Sequence, residues 1–246
     1  TNYYTIVHMH FKLILVSCLF LTACAGVPVN TTLDAHRFSS DPEKLNRAIY
    51  QFNTVVDKSI LRPVAQGYRA VTPAPARKGI SNIFKNLLEI NSLLNNILQG
   101  DLGGAGQNFS RFIINSTVGV LGLFDIASRN NIAPDIEDFG QTMAVWGIPH
   151  GPYLVLPFLG PSSLRDAIGL IPYYMYTQPE SVISDFEARV AVSSLYIINQ
   201  RAQLLGASDL LEGQLDPYSF LRESREQARI NAIFDNKPPE EEFDNF

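Results

Sequence analysis

The chain has 246 residues, of which 46% are hydrophobic and only 17% charged, with 19 basic against 24 acidic side chains and a net charge of −5. This balance argues against a nucleic-acid ligand, because phosphate binding needs a concentrated basic face and none occurs here. So few charges among so many apolar groups is unusual for a water-soluble domain. Two explanations stay open: a fatty protein core, or apolar faces laid against a membrane.

At the N-terminal end, Lys12 precedes an apolar run from Leu13 to Leu21 that ends in small residues and Cys24. Charge, apolar core and small-residue end make a secretory signal, with Met9 as the expected start because Thr1 to His8 add nothing a signal needs. The run is too short for a bilayer span, which takes about 20 apolar residues. Leu21-Thr22-Ala23-Cys24 resembles the cleavage box of bacterial lipoproteins, and Leu21 is its specific part. Residues 1–23 are expected to be removed and Cys24 to become the lipidated first residue; a secreted protein with a coincidental cysteine is the alternative. Ala25 is not the acidic residue that favours inner-membrane retention in enteric-type lipoproteins, so outward sorting is expected. With Cys18 removed, Cys24 stands alone and no intrachain disulfide is possible. Residues 24–40, without helical period, read as a linker.

The body spans 41–234. Asp41 caps and Pro42 opens a first helix, since proline at the first position lacks a donor that would need satisfying. Leu45, Ala48, Ile49, Phe52, Val55 and Val56 form its apolar face, and Ile60 to Pro63 breaks the pattern. A second helix runs from Pro73 or Pro75 to Leu98, with Gly100 as a left-handed cap. Its asparagines Asn82, Asn86, Asn91, Asn95 and Asn96 point to side-chain hydrogen bonds with neighbouring segments. Asp101 starts a third helix through Leu102, Ala105, Phe109, Phe112 and Ile113, which Gly119 and Gly122 end or bring close to another helix.

From Asn130 to Pro161 helical periodicity fails, and the segment reads as irregular or short helical structure, with Val155 to Phe158 too short to support a sheet. A short helix begins at Ser162 or Ser163, a long one spans about Pro179 to Leu205, and the last opens at Asp216-Pro217. Residues 235–246 form an acidic tail expected to be disordered. The apolar stretches Phe112 to Ala127 and Tyr153 to Tyr176 are broken by polar residues and prolines. They suit amphipathic or re-entrant segments better than spanning helices. The chain is predominantly helical, without internal repeats.

Enzyme chemistry finds little support. His36 and His150 lack metal-ligand spacing, so no metal site and no cofactor are expected. No Gly-x-Ser-x-Gly elbow exists, and Asp138-Phe139-Gly140 matches the kinase triplet without the other kinase motifs. Gly103-Gly104-Ala105-Gly106 follows no strand, so it fails as a nucleotide loop and reads as tight helix packing. Asp57, Asp125, Asp138 and Asp166 read more simply as caps than as a converging set. What stands out is a run of shape-fixing residues among large apolar groups: Gly140, Trp146, Gly147, Gly151, Pro152, Tyr153, Pro157, Gly160 and Pro161.

These residues also carry a resemblance. Asp41-Pro42-Glu43, Asn46-Arg47, Phe52-Asn53, Arg62-Pro63-Val64-Ala65 and Leu98-Gln99-Gly100 are similar to the MlaA/VacJ family of outer-membrane lipoproteins. So are Arg111-Phe112, Asn115-Ser116-Thr117, Glu137 to Thr142, Trp146-Gly147, Gly151-Pro152-Tyr153, Gly160-Pro161-Ser162 and Arg165-Asp166. The match runs from about Asp41 to Arg225, departing at Lys44-Leu45, where the family commonly has glycine and an aromatic residue. The resemblance implies an all-α ring of amphipathic helices embedded in the periplasmic leaflet of a Gram-negative outer membrane, around a polar channel. It implies passage of misplaced phospholipids from the outer leaflet to a periplasmic carrier that feeds an inner-membrane ABC-type complex, with trimeric porins as partners and no covalent chemistry. Arg47, Arg62, Arg111 and Arg165 are the candidate headgroup contacts, Arg47 first because Glu43 lies one turn away; a structural ion pair is the alternative for each. A porin-bracing lipoprotein without a channel and a periplasm-facing scaffold are the competing functions.

Overall fold

A computed structural model describes residues 42–177 and 183–237. The expected signal, Cys24, Asp41, the linker and most of the tail lie outside these residues. Helix α1 (Pro42–Val56) does not stop at the break but passes through a wide π turn (Asp57–Leu61) into α2 (Arg62–Val71). Pro63 has no N–H to give a regular turn, and the wider turn lets the chain go on as helix. Helices α3 (Ala74–Gln99) and α4 (Leu102–Thr117) form an antiparallel hairpin, closed by left-handed Gly100 and by the Asp101 side chain accepting from the Gly103 N–H. Short helices α5 (Ile126–Arg129) and α6 (Phe139–Val145) follow, capped by Asp125 and Asp138.

Where a sheet was not expected, β1 (Tyr153–Leu156) pairs antiparallel with β2 (Gly160–Ser163). The hairpin is too short to hold alone, and α1 supplies what it lacks. Asn46 donates to the Tyr153 carbonyl at 2.9 Å and accepts from the Val155 N–H at 2.8 Å. Two turns on, Asn53 repeats the pattern with Leu156 O at 2.9 Å and Phe158 N–H at 2.8 Å. The two amides stand in for a third strand along the outer edge of β1.

Ser163 then caps α7 (Leu164–Pro172), which widens into a second π turn (Tyr173–Thr177). Pro179, where the long helix was expected to open, lies outside the described residues; within them the helix begins at Phe186, where the Asp185 side chain takes the Ala188 N–H. It forms α8 (Phe186–Gln203), followed by α9 (Leu205–Glu212) and α10 (Pro217–Ile233), the last capped by Asp216 as expected. No described helix is long and apolar enough to cross a membrane.

Burial decides between the two explanations of the apolar excess. Among the described residues the largest fully buried side chains are Gln141, Asn108, Asn199, Thr142 and Ser163, all polar, whereas Leu45, Phe52 and Val55 on the apolar face of α1 are exposed. The same holds for Ile113, Val118, Val120, Leu121 and Phe124 in one broken apolar stretch, and for Phe158, Leu159, Leu164, Ile168 and Ile171 in the other. The apolar excess is on the outside. Among the described residues a compact apolar cluster is confined to Ala65, Ala202 and Leu205 with Tyr68 beside them.

The interior is joined by hydrogen bonds, as the asparagine run of α3 anticipated. Asn86 donates to Ser116 Oγ, Asn82 to the Leu123 carbonyl, Asn91 to the Glu137 carbonyl and Asn96 to the Asp135 carboxylate. Glycine allows a close helix approach: a Cβ on Gly169 of α7 would lie 2.7 Å from the Gly140 backbone nitrogen of α6.

Candidate functional site

A cavity of about 510 Å³ opens between these elements, within the size range of ligand sites. Helix α3 contributes Leu88, Asn91 and Ser92; the segment before α6 contributes Ile136, Glu137 and Asp138; the hairpin contributes Leu156, Leu159, Pro161 and Ser162. Asp166, Gly169 and Leu170 of α7, Tyr173 and Tyr174 of the π turn, Tyr196 of α8 and Arg225 of α10 complete it. The wall is mainly apolar, with charges gathered where α6, α7 and α10 meet.

That meeting point is an ion cluster. Arg229 is forked onto Asp138 at 2.6 and 2.7 Å and also reaches Asp166 Oδ1 at 2.9 Å. Arg165 donates to the same oxygen at 3.3 Å, and Arg225 donates to Asp166 Oδ2 at 3.4 Å. Burial opposes the Arg229 charge, but hydrogen bonds and attraction from Asp138 and Asp166 outweigh it and raise its pKa. Asp138 is held below the usual carboxylate range: burial opposes this, and the Arg229 hydrogen bonds overcome it.

Glu137 is different. Burial, reinforced by the carboxylates of Asp135 and Asp235, pushes its pKa from the ordinary 4.5 up to about 7, although Gln99 donates a 2.6 Å hydrogen bond to it. The oxygens of Asp135, Glu137 and Asp235 lie within 4.8 Å of one another. Because the folded state holds this proton more tightly than the unfolded chain, the stability it brings is complete below about pH 4.5 and is lost as pH rises to about 7. Glu137→Gln, which keeps an acceptor for Gln99 and cannot ionise, is expected to match the parent at pH 4.5 and to exceed it by up to ~3 kcal/mol at pH 8. Thermal unfolding in detergent at both pH values checks this; an unchanged difference across that range would count against it.

All four arginines singled out from the sequence sit in ion pairs. Arg47 binds Glu43 at 2.8 Å and forks onto Asp216, while Arg62 binds Asp209 at 2.7 Å and Glu212 at 2.8 Å. Arg111, buried between α3 and α4, donates to Glu89 at 2.6 Å, and Arg165 lies beside Asp166, its expected structural partner. None of the four lines the cavity. Of the shape-fixing residues, Pro161 lines it directly, and Tyr153, Pro157 and Gly160 belong to the hairpin that supplies part of its wall. Gly140 makes the crossing with α7 possible, and Trp146 donates to the Leu98 carbonyl at 3.0 Å. Gly147, Gly151 and Gly160 have positive φ, with Pro152 between the last two in the chain. Sequence reasoning missed Arg225, Arg229, Tyr173, Tyr174 and Tyr196 in and around the cavity. Asp125 and Asp138 do serve as caps, yet Asp138 and Asp166 also converge on Arg229.

Comparison with known proteins agrees with this architecture. The family model described as MlaA lipoprotein matches residues 39–232. The chain is 39% identical over 198 residues to the intermembrane phospholipid transport system lipoprotein MlaA of Escherichia coli K12, covering 75% of each chain. It is 29% identical over 226 residues to the protein of that name from Haemophilus influenzae, covering 91% of this chain and 90% of the relative. A solved chain, from work on the structural basis for maintenance of bacterial outer membrane lipid asymmetry, superposes with a TM-score of 0.66 at 36% identity, covering 78% of this chain and 96% of that one. The chain belongs to the MlaA lipoprotein family.

Proposed function

We infer that this protein is an outer-membrane lipoprotein that transports phospholipid and so maintains the lipid asymmetry of that membrane, without catalysing a reaction. The observation that carries this reading is the inverted distribution of polarity: a hydrogen-bonded polar interior and an exposed apolar exterior, with no spanning helix among the described residues. Apolar faces of this kind are costly in water and favourable in a lipid leaflet. A charged headgroup crossing a membrane protein needs polar groups on its route, and the cavity offers apolar wall and charge side by side. We propose further that Cys24 bears the lipid anchor, that residues 41–234 form the leaflet-embedded body, and that the hairpin region with Gly140, Gly147 and Gly151 shapes the lipid path. Arg47 and Arg62 keep a transient headgroup role, exchanging a carboxylate for phosphate. A periplasmic carrier feeding an inner-membrane ABC-type complex would receive the lipid, and a trimeric porin would hold the protein in place.

Outer-leaflet phospholipid, measured in a deletion strain with and without the gene restored, tests the function. Restoration is expected to return it to the parental level; restored porin assembly with uncorrected asymmetry would favour a bracing role instead. Embedding has its own test. An exported Cys24→Ala variant is expected still to require detergent, and a soluble monomer without detergent would contradict a leaflet-embedded body.

A further inference from the structure

We propose that Arg225 is the residue of the cavity that contacts the phosphate group of a bound amphiphile; this rests on the cavity being a lipid site. The ion cluster contains three guanidinium groups, of Arg165, Arg225 and Arg229, on two carboxylates, Asp138 and Asp166. One positive charge is therefore left over, and the geometry assigns it to Arg225. Arg229 and Arg165 have side chains only 4% and 5% exposed, and neither lines the cavity; Arg225 is 34% exposed and does. Asp166 Oδ1 receives two arginines, whereas among the described residues Arg225 has a single hydrogen bond, to Oδ2 at 3.4 Å, the outer limit of such a bond. Its remaining donors are available to a phosphate, which a guanidinium meets in bidentate fashion. Tyr173, Tyr174, Leu159 and Leu170 give the same cavity an apolar wall. A cation at the edge of an apolar hollow fits an anion that carries hydrocarbon. An uncharged amphiphile would gain only a hydrogen bond to a neutral acceptor, weaker than one to phosphate.

The purified full-length protein in detergent micelles, loaded in turn with phosphatidylglycerol and with diacylglycerol of the same chains, tests this by native mass spectrometry. The parent is expected to retain phosphatidylglycerol roughly ten- to hundredfold better than diacylglycerol, the scale of a charge-assisted hydrogen bond. Arg225→Gln should lose that preference while retaining diacylglycerol as before, and Arg225→Lys should keep part of it, since lysine preserves charge but not the fork. Equal preference in the parent and Arg225→Gln would overturn the assignment of Arg225 and leave the cavity intact. Retention of neither lipid by the parent would overturn the cavity reading, and the role of Arg225 with it. Displacement of phosphatidylglycerol by millimolar inorganic phosphate alone would overturn the lipid source and make this a free-phosphate site.

Discussion

Arg229→Met is expected to lower stability by about 2–4 kcal/mol, because buried Asp166 and half-exposed Asp138 together lose three hydrogen bonds from a charged group. Methionine keeps most of the aliphatic stem, so packing is nearly preserved. What is lost is the charge joining α10 to the α6 cap at Asp138 and to buried Asp166. Arg165 and Arg225, at 3.3 and 3.4 Å, would be left to neutralise Asp166. For a chain of this size the thermal midpoint should fall by roughly 10 °C, read by circular dichroism in detergent. Limited proteolysis should then release α10 before the α3–α4 hairpin opens. A midpoint within about 2 °C of the parent would show that Arg229 is a bystander.

Arg111→Met should cost a similar ~3–5 kcal/mol, through a different failure. Both Arg111 and Glu89 are almost fully buried, and burial already pushes the Glu89 pKa upward against the pull of Arg111. Without the arginine, Glu89 must take up a proton or open the α3–α4 contact. The double variant Arg111→Met with Glu89→Leu removes the uncompensated charge and should recover half or more of the loss. Asp125 keeps its Ser128 and Asn115 partners in either variant. Additive losses in the double variant would mean that the pair is not the source of the effect.

Local chemistry made much of this fold readable in advance. Asp101, Ser163 and Asp216 cap helices where short polar side chains announce caps, and Gly100 closes α3 in the left-handed conformation. The asparagines of α3 pointed correctly to side-chain bonding, although not to their partners. An amphipathic pattern fixes that α1 has an apolar face but not which way it faces, and here Asn46 is inside while Leu45 is outside. The hairpin was illegible because its third edge comes from Asn46 and Asn53, more than a hundred residues away. Arg229 was missed for the same reason, with its two carboxylates 91 and 63 residues distant. Long-range polar pairing leaves no periodic trace in the chain.

The asparagine edge of β1 also sets a clock. The N–H groups of Val155 and Phe158 are held by side chains of a helix, not by a neighbouring strand. The buried amide of Val155 can exchange its hydrogen only when Asn46 lets go of it, whereas the exposed amide of Phe158 needs no more than a rotation of the Asn53 side chain. Slow exchange at Val155 therefore reports how firmly α1 holds the hairpin, so one proton on the cavity wall keeps time for a contact 109 residues away in the chain.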